Sequence, residues 1–126
     1  RGMNRRTYPW GDSEPDGTRA NYNRMYGFTS AVGCFPAGAT PEGLLDLAGN
    51  IWECTQIVQS IYPDVPANEH QNTDELIHKS FIIRGGSWGA EKPSFLRTAC
   101  RIKRKIHVDI NSDARGFRLA RRPLPQ

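Results

Sequence analysis

Apolar and polar positions alternate in a few short stretches of this chain, and these predict strands. Ile51-Trp52-Glu53-Cys54-Thr55 alternates with a period of two, the repeat of a strand with one buried face. Ser80-Phe81-Ile82-Ile83-Arg84 is a continuous apolar run stopped by Gly85-Gly86, as expected of a buried strand. Ile102, Ile106, Val108 and Ile110 alternate with Arg101, Lys103, Lys105, His107 and Asp109, broken only by Arg104. That pattern predicts a half-exposed strand. Val32-Gly33-Cys34-Phe35-Pro36 reads as a short strand ended by proline, and Gly116-Phe117-Arg118-Leu119-Ala120 as a closing strand. Arg19 to Phe28 carries three aromatics without a clear period, and residues 90–100 allow a short helical turn after Pro93.

The rest reads as turns. Tyr8-Pro9-Trp10-Gly11-Asp12 and Glu14-Pro15-Asp16-Gly17 are consecutive turn signals. Residues 60–78 form a polar loop, the best place for tolerated insertions. Twelve Gly and nine Pro in 126 residues fit this picture and argue against a helical bundle. The length allows one domain core, and no apolar run approaches a membrane span. The first twelve residues are polar and show no signal-peptide core.

Charge and cysteine narrow the function classes. Residues 1–88 carry seven Lys/Arg and ten Asp/Glu, whereas residues 89–126 carry ten Lys/Arg and three Asp/Glu. The basic third lacks interleaved aromatics, which disfavours a nucleic-acid surface. Arg97, Arg101 and Arg118 sit among apolar or glycine neighbours and read as anchors for loop carbonyls and carboxylates. Cys34, Cys54 and Cys100 are far apart, with no CxxC. This excludes a zinc knuckle and a disulfide framework, and the odd thiol leans toward a reducing cytoplasm.

Five blocks then stand out in order. They are Tyr8-Pro9-Trp10-Gly11-Asp12, Gly43 through Glu53, Ile83-Arg84-Gly85-Gly86-Ser87-Trp88, Arg97-Thr98-Ala99-Cys100-Arg101, and Gly116 through Ala120. At this spacing the chain resembles the formylglycine-generating enzyme, or sulfatase-modifying factor, family. The resemblance implies an α+β fold of C-type lectin-like architecture, with a small twisted antiparallel sheet and abundant ordered loop. It covers the C-terminal part of one such domain, over residues 1–126. The chain is therefore expected to be one piece of a longer protein.

The resemblance also says what chemistry to look for. Family oxidases hold copper(I) with two thiolates just after the Gly-Gly-Ser-aromatic block, ligands whose softness suits that ion. Counted from Trp88, those positions hold Ala90 and Phe95, so no copper is expected and the chain does not read as a formylglycine generator. Cys100 reads instead as a small buried hydrophobe. The related ergothioneine-type sulfoxide synthases place iron in a separate N-terminal helical domain. His70, His78 and His107 show no spacing that suggests such a site here. Structural calcium is implied at the Asp46 and Glu53 carboxylates and the Gly49 and Ile51 carbonyls, a hard-oxygen set suited to that ion.

The resulting expectation is a non-catalytic ligand-binding module. Its binding face would follow Gly-Gly-Ser-Trp and include Trp88, Glu91, Lys92, Ser94, Phe95, Ile102, Lys103, Arg104 and Ile106. Phe95 and Ile102 would be exposed anchors among charges, which suits a protein or peptide ligand, the competing reading being that Phe95 and Leu96 pack into the core. A narrower form is a variable protein of a diversity-generating retroelement. The competing class is an enzyme of the same family, with Ser87, Arg101, Arg104 and His107 as polar candidates in a pocket beneath Trp88.

Overall fold

The computed structural model describes residues 5–58, 80–105 and 113–120. Four strands form one sheet: β1 (Trp52–Val58), β2 (Ser80–Arg84), β3 (Ile102–Lys105) and β4 (Arg115–Gly116), in the order β3-β2-β1-β4. β1 and β2 are antiparallel, with Glu53 opposite Arg84 and Cys54 opposite Ile83. The register slips between Cys54 and Val58, so β1 carries a bulge-like irregularity there. β2 and β3 are antiparallel, with Ile82 opposite Lys103 and Ile83 opposite Ile102.

The sheet is mixed, not wholly antiparallel as expected. β4 pairs parallel to β1, with Trp52 opposite Arg115 and Glu53 opposite Gly116. Parallel neighbours need a long return connection, and the chain makes β2 and β3 before it comes back. The closing strand is also shorter than its apolar pattern suggested, ending at Gly116. From Phe117 onward the Arg118 side chain, not a backbone ladder, ties the segment down.

Among the described residues the helical content is two 3-10 turns, Pro36–Gly38 and Pro93–Leu96. Each starts with proline, whose fixed φ suits the first helical position. The turn after Pro93 was expected. The strand expected over Val32–Pro36 is absent, because Gly33 turns the chain at φ 79 before the first 3-10 turn begins. The Ile106 to Ile110 half of the third expected strand, and the polar loop over 60–78, lie outside the described residues.

The core gathers loop residues more than strand residues. Tyr8, Ala20, Tyr22, Ala48, Ala90 and Leu96 form one buried cluster, with Trp10 and Phe95 packed against it. Tyr8 and Trp10 stack at 5.3 Å. The buried tyrosines keep partners for their hydroxyls: Tyr22 donates to the Pro15 carbonyl and Tyr8 to Glu14. Burying a phenol without one would forfeit much of the gain from its ring.

Candidate functional site

Three loop segments meet through backbone hydrogen bonds and fix the chain around the Gly-Gly-Ser-Trp block. Gly49 N–H donates to the Gly85 carbonyl at 2.9 Å, and Trp88 N–H to the Asn50 carbonyl at 2.8 Å. Arg24 N–H in turn donates to Trp88, and Asn23 N–H to Ala90. Glycine is required at position 49. Its φ is +80, and an added Cβ would lie 2.4 Å from the Asn21 carbonyl oxygen. Ala90 is buried inside this clasp, so the first of the two family thiolate positions faces packing, not solvent. At the second, the Phe95 ring meets Trp52 edge-on at 5.8 Å.

The residues that follow divide into two groups. Glu91, Lys92, Ser94, Lys103 and Arg104 are exposed. Glu91 lies 3.8 Å from Arg24, a surface pair of little energetic weight. Phe95 and Ile102 are half-buried, not the exposed anchors expected. Phe95 is drawn in by Trp52 and the core, and Ile102 faces buried Ile83 across the strands. Trp88 is also half-buried, 5.3 Å from Phe28, and its indole N–H is buried with no hydrogen-bond partner among the described residues. Ile106 and His107 lie outside the described residues. Cys100 is half-buried, and burial raises its thiol pKa while nearby Arg84 opposes the shift. This thiol favours its protonated form and fits a packing role.

The calcium-type block is engaged by the protein itself. Gly33 N–H donates to Asp46 Oδ2 at 2.7 Å. The Arg118 guanidinium donates to Glu53 Oε1 through Nε at 2.6 Å, to the Leu45 carbonyl at 3.0 Å and to the Asp46 carbonyl at 2.7 Å. Arg118 is thus the loop anchor its surroundings predicted. The donor chemistry suits calcium, but a cation on Glu53 must compete with this guanidinium for the same oxygen.

Away from Trp88, the described residues form a cleft of about 890 Å³ over the β1–β2 pair, walled by the 40–47 turn, residues 96–98 and the 117–120 segment. Four arginines line it, Arg6, Arg84, Arg97 and Arg118, with Glu42 and Glu53. Of the expected site residues only Glu53 lines this cleft. Sequence reasoning missed it because Arg84 and Thr98 stood out only as parts of the recurring blocks. No local signal marks it: the pairing that sets Glu53 opposite Arg84 and brings both to one face exists only in the folded sheet.

Comparison with known proteins agrees with the fold and the motif order. The model of the sulfatase-modifying factor enzyme 1-like domain matches residues 1–123, and the chain belongs to this family. Among curated proteins it is similar to hercynine oxygenase of Mycobacterium tuberculosis, 35% identical over 99 residues, covering 77% of this chain and 23% of that protein. It is 29% identical over 131 residues to hercynine oxygenase of Mycolicibacterium thermoresistibile, covering 96% of this chain and 29% of that protein. The hercynine oxygenase of Mycolicibacterium smegmatis is 30% identical over 114 residues. The chain thus spans less than a third of the length of these relatives.

Proposed function

We propose that the chain is a ligand-binding segment of a larger protein and does not itself carry a copper centre of the family type. The ligand contacts the face after Gly-Gly-Ser-Trp, through Glu91, Lys92, Ser94, Lys103 and Arg104. One observation carries this reading. The backbone from Gly49 to Asn50 and from Gly85 to Ala90 is pinned by hydrogen bonds, and the side chains that follow at once are exposed. A rigid scaffold presenting variable side chains is the usual arrangement of a binding surface. The excess of Lys and Arg over acid on this face suits an acidic protein or peptide segment.

The relatives favour a second reading, in which the parent protein is an oxygenase acting on hercynine and this segment holds part of the substrate. The two readings separate in one experiment on the full-length parent. Hercynine-dependent oxygen uptake supports the second, and its absence, with capture of an acidic peptide by this face, supports the first. Reversing Lys92 and Lys103 to Glu weakens the bound ligand on the order of tenfold in either case. Unchanged binding overturns the assignment of this face. The diversified-surface form of the first reading is tested at the gene: a near-copy of the segment encoding residues 85–118, differing only at adenines, supports it. A calcium ion at Asp46 and Glu53 is a separate proposal, resting on the hard-oxygen donor set.

A further inference from the structure

The cleft carries a charge imbalance that the binding face does not explain. Arg6 is matched by Glu42, with Nη2 to Oε2 at 3.3 Å. Arg118 is matched by Glu53. Glu53 stands opposite Arg84 in strand register, yet its carboxylate is bonded to Arg118. Arg84 donates to the Thr98 carbonyl and has no carboxylate partner among the described residues. Arg97 likewise has none. Two guanidinium groups therefore line one concave site with no carboxylate bonded to either among the described residues.

Arg84 is also half-buried. Burial, and then the like charge of Arg101, lower its pKa, while Cys100 opposes this weakly. A charged group held in such surroundings gains from an anion within reach. The walls supply a second observation. Leu44, Phe117 and Leu119 line the cleft and are 54%, 73% and 90% exposed, and Leu96 lies beside them. The volume, about 890 Å³, is far larger than a lone inorganic ion needs and falls in the range of small-molecule pockets.

We infer that the cleft between the β1–β2 pair and the 117–120 segment is a binding site for a small organic anion, with its oxyanion head on Arg84 and Arg97 and its apolar body against Leu44, Phe117 and Leu119. A guanidinium fork matches the planar carboxylate and the phosphoryl oxygens equally. The head is therefore defined as an oxyanion, and the test separates the two. None of the residues of the face after Gly-Gly-Ser-Trp lines the cleft, so this site stands apart from the proposed binding face.

The experiment is calorimetric titration of the full-length parent protein with hexanoate, hexyl phosphate and inorganic phosphate, at matched ionic strength in chloride. Saturable binding of hexanoate or hexyl phosphate is expected, and the tighter of the two names the head group. Inorganic phosphate binds at least tenfold more weakly than the organic anion. Arg97→Gln weakens the organic anion by about tenfold and Arg97→Lys retains most of the affinity. Arg97 is exposed and makes no side-chain hydrogen bond or ion pair among the described residues, so these variants keep the fold even if Arg84 substitutions do not. No saturable binding overturns the inference. So does inorganic phosphate binding as tightly as its hexyl ester, or an affinity indifferent to Arg97→Gln.

Discussion

Asn21 and Asn50 hold the centre of the molecule together: Asn50 N–H donates to the Asn21 carbonyl at 2.8 Å, and both side chains close on Ser30. Asn50 takes the Ser30 N–H at 3.0 Å and donates to the Ser30 carbonyl at 3.1 Å. Asn21 is fully buried and donates to the Phe28 carbonyl. Asn50 also sits at φ 62, a conformation asparagine tolerates better than most residues. Asn50→Ala removes two hydrogen bonds and adds backbone strain, an expected loss of about 3 kcal/mol by urea unfolding. Asn50→Gly relieves the strain and recovers about 1 kcal/mol of that.

Gly49 and Gly43 separate steric clash from backbone strain. Both have positive φ, but a Cβ at Gly43 meets nothing within 4 Å, whereas at Gly49 it strikes Asn21. Gly43→Ala is expected to cost about 1–2 kcal/mol. Gly49→Ala adds an overpacking cost of about 1–3 kcal/mol. Equal midpoints for the two variants in denaturant would contradict the clasp as described.

Calcium and Arg118 compete for Glu53 Oε1. If the ion binds as proposed, the melting temperature of the wild type rises with calcium relative to chelator. In Arg118→Gln the baseline falls and the calcium-induced rise is larger, because the competing guanidinium is gone. Melting temperatures indifferent to calcium in both proteins would remove the ion from the account.

Acid sensitivity follows from the turn carboxylates. Hydrogen bonds from Thr7 lower the pKa of Asp12, and those from Thr18 lower that of Asp16, each below the ordinary 3.8. A carboxyl depressed in the folded state contributes stability above its unfolded pKa and loses it as pH falls through the folded one. The melting temperature should therefore be flat near neutrality and fall once the pH drops below about 4. Asp16→Asn lowers the neutral plateau and flattens this acid limb, checked by thermal melts across that range.

The sequence told most about local structure and least about what meets across long separations. Pro93, Gly85-Gly86 and the Ser80 to Arg84 run each carry their own turn or strand preference, and β2 appears where its apolar run stands. The family blocks led to the fold because their order survives in one chain. The parallel β1–β4 pair left no local mark, being two residues long. The cleft left none either. Its Arg118–Glu53 contact joins residues 65 apart, and the parallel pairing of β1 with β4 brings them together. Phe95 read as an exposed anchor because nothing near it in sequence reveals Trp52.

The central claim is the proposal that this segment binds an acidic ligand through its exposed charged face. The most direct test is a binding titration of the full-length parent with an acidic peptide, comparing wild type with the double variant Lys92→Glu, Lys103→Glu. The account predicts saturable binding to the wild type that weakens on the order of tenfold in the variant. An affinity indifferent to the two reversals would contradict it and remove these residues from the ligand face.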